Sequence, residues 1–330
     1  MFLKAWCALL LGLSPFVANA QSVPAGYVLE PVIQGLRSPT QFTFAPDGRL
    51  YVAQLAGAEN GGRGQVVRVD LATGDQEVLL SNLYKPTGLA VTDTDLWVMA
   101  GNRLLRVPLE GEGVGASEAV LRDLPNNGRS EGTLTLTPDG AILYETSGAL
   151  SVRGAEPNSG VLWRLELDDP RNPVPLAKGL KGAYAHAFAE DGTLYTTEIG
   201  DDWMNGSPPP DELNIVEAGA DYGWPKCYGR RLPARNTGGT PEFCQTTHAP
   251  LALFAPDATP TGVTVSPFGG EVLVALWLEN RVISVDPNSG EVTPLVTDMP
   301  LPQHLVTQGD SVYLSSFAEG VIYRLSRQNR

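Results

Sequence analysis

One short pattern recurs along this chain and limits what it can become. A strand leads into a reversal, often Pro-Asp-Gly or Glu-Asp-Gly, a second strand follows, and a third closes the unit after a loop. The first copy reads Gly35-Leu36, Ser38-Pro39-Thr40, Phe42-Thr43-Phe44, Pro46-Asp47-Gly48 and Leu50-Tyr51-Val52, then Val66-Val67-Arg68-Val69. Asp-Gly between alternating apolar residues is hairpin chemistry, and period-2 alternation is a strand signal. Further copies start at Lys85-Pro86-Thr87, Gly132-Thr133-Leu134, Gly179-Leu180, Pro260-Thr261-Gly262 and Pro302-Gln303-His304. Six copies of a four-strand unit predict an all-β chain folded as a six-bladed β-propeller. Tyr27-Val28-Leu29 is the candidate strand that completes the last blade, so that no long edge stays open.

The ends and the charge refine this. Lys4, an apolar run from Ala8 to Val17 and Ala18-Asn19-Ala20 together read as a secretory signal peptide over residues 1–20, cleaved before Gln21. Residues 21–330 then form one propeller domain in a secreted or periplasmic protein, with no membrane span. The whole chain carries a net charge of −14, and losing Lys4 makes the mature chain one charge more negative. Such a surface argues against nucleic acid as a partner and leaves a small molecule and a monomer or homodimer as expectations. Cys227 and Cys244 remain after cleavage, and in an oxidising compartment they read as a disulfide. Closing that loop is worth about 3 kcal/mol in the chain-entropy picture.

One segment breaks the repeat. Between Thr197 and Cys244 lie Asp201, Asp202, three consecutive prolines (Pro208, Pro209, Pro210), Asp211, Glu212 and the cluster Tyr222-Gly223-Trp224-Pro225. Consecutive prolines continue neither a helix nor a sheet ladder, so this is a built loop, and its acids suit a hard cation. The bland alternative is a solvated acidic loop. Residues just ahead of each inner strand line the channel mouth of a propeller. That criterion collects Gln41, Arg129, Glu131, Lys181, Tyr184 and Ala185, with Thr87, Thr261 and His304 as companions. Arg129, Glu131 and Lys181 could equally form an ion-paired rim without a ligand. No nucleophile elbow and no His/Cys metal cluster is present.

Pro210-Asp211-Glu212-Leu213-Asn214 followed by Gly219-Ala220-Asp221-Tyr222-Gly223-Trp224-Pro225 resembles the most recognisable segment of the soluble quinoprotein glucose/sorbosone dehydrogenases. Cys227-Tyr228-Gly229 with Cys244 is similar to the sorbosone branch. The resemblance implies a six-bladed propeller that binds pyrroloquinoline quinone (PQQ) and calcium and oxidises a sugar. By that likeness calcium would sit at Gly200 and Asp201, and Arg129, Lys181 and Gln41 would contact the cofactor.

The chain departs from the family where the chemistry sits. The family's general base is a histidine, and its place holds Arg129, which cannot accept a proton at working pH. The family's Arg-Asn pair after Gly-Leu is Lys181-Gly182, and only Trp277, Asn280 and Arg281 echo its Ser-Trp-Asn-Arg motif. A dehydrogenase would need His304 or His186 as substitute base. His186, inside Tyr184-Ala185-His186-Ala187-Phe188, reads equally as a packed core residue. The alternative function is a non-catalytic propeller that binds a glycan or protein partner. A calcium-dependent lactonase-like propeller would need several acidic and amide side chains converging on a metal, and Glu131 alone does not supply them.

Overall fold

The computed structural model describes residues 21–125, 131–151, 154–200 and 203–328. Among them, six sheets each contribute four antiparallel blade strands to a ring, a six-bladed β-propeller. The innermost strands are Pro39–Phe44, Pro86–Val91, Thr135–Leu136, Ala183–Phe188, Pro260–Val265 and Pro302–Gln308. Strand Tyr27–Ile33 pairs antiparallel with Val321–Arg327 as the outer strand of the sixth blade, closing the ring between the two ends of the described chain.

Turn chemistry fixes the register. In blade 1 the Gly48 N–H donates to Ala45 O and the Ala45 N–H to Arg49 O, both at 2.8 Å. Gly48 takes φ +83°, a conformation that costs an L side chain steric energy. The same pair of bonds recurs at Thr137 with Gly140 and at Ala189 with Gly192.

The apolar residues form six clusters at the interfaces between neighbouring blades and a seventh, smaller one in the inserted segment of blade 4. Tyr51, Ala53 and Val66 pack on Leu89, Val91 and Val98 between blades 1 and 2. Ile33, Leu36 and Ile322 meet Phe42, Val52 and Val67 between blades 6 and 1. Second strands such as Leu50–Gln54 and Val272–Leu276 are buried on both faces, because each blade has a neighbour on either side. Burying each such aliphatic side chain contributes about 1.5–3 kcal/mol.

The segment with Cys227 and Cys244 is an insertion between the third and fourth strands of blade 4, Glu212–Val216 and Ala252–Leu253. The disulfide joins Cys227 and Cys244, with Cα atoms 5.7 Å apart. No described helix is long and apolar enough to cross a membrane.

Candidate functional site

The Asp211–Asn214 run holds the inserted loop against the channel mouth. Asp211 Oδ1 accepts the Gly200 N–H at 2.8 Å, and its Oδ2 accepts the Thr259 N–H of the next blade at 2.7 Å. Glu212 Oε1 accepts the Gly229 N–H at 2.6 Å, anchoring the cysteine segment. Asn214 Nδ2 donates to both Glu198 and Glu212, at 3.3 and 3.2 Å. Glu198 Oε1 in turn accepts the Lys181 N–H at 2.6 Å. Burial pushes Glu212 up to about 7 and raises Glu198 well above the carboxylate range, where each also feels neighbouring acids.

Trp224 seats the cluster from the other side. It packs on Met204 and Ala234, and its ring lies so close to Gly148 that a Cβ there would come within 2.7 Å of it and 2.8 Å of Lys181 Cδ. Glycine is therefore required at residue 148 by close approach. Blade 3 supplies a second acidic group. Ser147 Oγ lies 3.1 Å from both Glu131 Oε2 and Glu145 Oε1, and Gly132 N–H donates to Glu145 Oε1 at 3.1 Å. Both glutamates are buried, which raises Glu131 well above its ordinary range and Glu145 to about 7.

These groups meet a cavity of about 650 Å³ at the mouth, lined among others by Thr87, Glu145, Lys181, Tyr184, Trp277 and Gln303. Thr40 and Thr261 donate across to the next blade's Pro86 and Pro302 carbonyls, at 2.6 and 3.1 Å. Thr87 has no such partner, because the next blade enters with Glu131-Gly132-Thr133 instead of Pro-Thr. Three buried polar atoms of lining residues lack a protein partner: Thr87 Oγ1, Glu145 Oε2 and the donor Trp277 Nε1.

The residues expected at the mouth divide. Lys181 is there, 3 % exposed, on the cavity wall and not on an outer rim. Glu131 is likewise buried and tied to Glu145 through Ser147, so it forms no exposed rim pair. Gly200 is buried beside the mouth. Arg129 and Asp201 lie outside the described residues.

His186, His304 and Gln41 instead line a separate funnel of about 1200 Å³ that contains the opposite ends of the inner strands, including Phe44, Phe188 and Thr307. Neither histidine lines the Lys181 cavity. His186 Nε2 donates to Ala183 O at 2.7 Å, and His304 sits edge-on to Phe42 with centroids 5.3 Å apart. Burial lowers them to about 4 and about 3, so both are neutral. Gln41 acts as a staple between blades. Its Nε2 donates to Leu134 O, and its Oε1 accepts the Leu89 and Leu134 N–H groups, tying three blades together.

Glu145 escaped the sequence reading although a signal was present. It follows Ile142-Leu143-Tyr144, at the position that holds Ala53 and Thr197 in the corresponding strands after Gly48 and Gly192. A carboxylate in a strand buried throughout breaks the pattern and marks a site.

Residues 173–292 match the family Glucose / Sorbosone dehydrogenase. The fold is similar to the carbohydrate-active enzyme of family AA12 from Trichoderma reesei, with TM-score 0.79, 16% identity and coverage of 94% of this chain and 98% of that one. It is similar to the PQQ domain of pyranose dehydrogenase from Coprinopsis cinerea, with TM-score 0.76, 16% identity and coverage of 93% and 97%. It is also similar to the PQQ-bound aldose sugar dehydrogenase from Streptomyces coelicolor, with TM-score 0.69, 20% identity and coverage of 93% and 100%. No curated protein matches the sequence. The stretch that carries the DELN and YGWP motifs is the one the family match spans, and this chain is a six-bladed propeller that resembles the soluble quinoprotein glucose/sorbosone dehydrogenases.

Proposed function

We propose that the chain is an exported sugar oxidoreductase-like propeller that receives a sugar in the Lys181 cavity. The observation that carries this is the set of unpartnered atoms around the cavity, from blades 2, 3 and 5: a threonine hydroxyl, a carboxylate acceptor and an indole donor. A polyol both donates and accepts, so it satisfies all three at once, and aromatic faces at Trp277 and at exposed Trp203 suit a sugar ring. The disulfide is consistent with export of the chain after cleavage before Gln21.

The finer reading is a PQQ- and calcium-dependent dehydrogenase, with calcium at Gly200 and Asp201 and with Arg129 and Lys181 on the quinone; His304 and His186, the expected substitute bases, line the opposite funnel and do not reach a sugar in this cavity. The described side chains test the quinone part. Lys181 would hold one carboxylate of this tricarboxylate, but the other charged residues lining the cavity are Glu59, Glu145, Asp211 and Asp257. Glu59 is paired with Lys85 Nζ at 3.0 Å, but Glu145, Asp211 and Asp257 leave the described lining acidic, which does not suit a trianion. The same charge pattern favours a second reading, a non-catalytic propeller that binds a glycan.

Tryptophan fluorescence of the mature protein separates these readings. Titration with neutral hexoses should give saturable quenching. Titration with PQQ, with and without calcium, then decides the finer question. Calcium-dependent saturable binding supports the dehydrogenase and calls for a dye-linked activity screen, whereas sugar binding without quinone binding supports the glycan-binding propeller. Absence of sugar binding removes the sugar reading altogether.

A further inference from the structure

Two carboxylates pressed together without a counter-ion bond between them need a proton, a cation or a ligand donor. Glu131 and Glu145 are such a pair. They are 1 % and 2 % exposed, they share the Ser147 hydroxyl, and Ser147 N–H also donates to Glu131 Oε2 at 3.0 Å. Each keeps one buried oxygen with no partner, Glu131 Oε1 and Glu145 Oε2. Glu145 and Ser147 line the mouth cavity.

We propose that the Glu131–Ser147–Glu145 group is the acceptor for sugar hydroxyls in this cavity, and that a proton shared by the two glutamates competes with the sugar. The inference rests on the reading of the cavity as a sugar site and adds the residues that recognise the sugar and the way pH controls them. Free of ligand, the pair lowers its repulsion by keeping one proton. A bound sugar supplies its own hydroxyl donor to Glu145, the member of the pair that lines the cavity, and the shared proton leaves to solvent.

The charged and titratable surroundings agree with this. Lys181 from the blade 4 entry favours the ionised form of both glutamates, while burial and their mutual repulsion oppose it, with burial the larger cause. Tyr184 also faces the pair electrostatically, and burial keeps it protonated. The balance leaves Glu145 near 7, so the competition falls within the neutral range. The ligand class follows from the donors required. An anionic sugar would meet the pair together with Asp211 and Asp257, whereas the hydroxyls of Thr40, Thr87 and Thr261 continue a polyol-binding surface.

The test uses the mature protein, with tryptophan quenching by a neutral hexose, its 2-amino analogue and its uronic acid between pH 5 and pH 8. The neutral hexose should bind more tightly as pH rises through 7, and the uronic acid should bind at least about tenfold more weakly. Glu145→Gln keeps the shape and the Oε1 acceptor for Gly132, and should bind the hexose about tenfold more weakly with a flat pH profile. Glu131→Gln serves as an independent variant if Glu145→Gln unfolds, with the same expectation. Wild-type affinity and pH profile in a folded variant would overturn the role of the pair. Tightest binding of the amino sugar would overturn the ligand class. Infrared difference spectra of the wild type against Glu145→Gln give a readout that needs no sugar and cancels the bands of the raised Glu198 and Glu212: the difference should hold a protonated-carboxyl band lost between pH 5 and pH 8. Absence of that band overturns the shared proton, while its presence without any sugar binding overturns the sugar reading and the recognition role together.

Discussion

At the scale of single residues, the two histidines and Glu212 behave oppositely. His186 and His304 are held neutral because burial disfavours the imidazolium. An unfolded chain takes up protons below its ordinary histidine value, near 6.5, and the folded chain refuses them until about 4 and about 3. Folding stability is therefore lost as pH falls below about 6.5. His304→Leu should show a smaller drop in urea midpoint between pH 7 and pH 5 than the wild type. Because His304 lines the far funnel, the same substitution should leave sugar binding in the Lys181 cavity unchanged. Glu212 has the reverse sign. Its folded value is raised to about 7, so its contribution is present below the ordinary carboxylate range and is lost as pH rises through 7. Glu212→Gln should flatten the urea midpoint between pH 5 and pH 8 relative to the wild type.

At the scale of elements, the inserted loop depends on a few side chains spanning long separations. Asp211 bonds two backbone N–H groups, one in its own blade's loop and one at the entry to blade 5. Asp211→Ala leaves both without that acceptor and should cost about 2–4 kcal/mol, read from urea unfolding at constant slope. Gly148→Ala is a steric test of the same region. Its Cβ meets Trp224 and Lys181 and no strained backbone is involved, so it should weaken sugar binding more than it lowers Tm. Gly48→Ala, in an open turn at φ +83°, should cost about 1 kcal/mol and leave binding intact.

At the scale of the whole molecule, the six blade interfaces and the closing strand make the ring one cooperative unit. Deleting residues 21–33 removes Ile33 from the cluster between blades 6 and 1 and exposes the edge of Val321–Arg327. The truncated protein should lose its single sharp thermal transition and associate through that edge, as light scattering on heating would record. The repeat and its turns were legible because they rest on short-range rules: alternation, Asp-Gly chemistry and apolar pairs adjacent along one hairpin. The closing strand pairs the two ends of the described chain and was legible only from the need to leave no open edge. The disulfide was legible from compartment and cysteine count. The DELN motif was legible as a likeness, but its work as a set of backbone anchors appears only when residues 200, 229 and 259 come together. Tertiary structure also decided where the site residues face. Lys181 and His186 are five residues apart in sequence, yet Lys181 precedes the inner strand Ala183–Phe188 and His186 lies within it, so they open into different cavities. Glu131 and Glu145 come from an entry loop and the following strand, and folding brings them onto one serine. Sequence determined the ring because each rung of it is local. Only the closed ring decided the site, because its members arrive from different blades and the proximity of their charges exists nowhere in the unfolded chain.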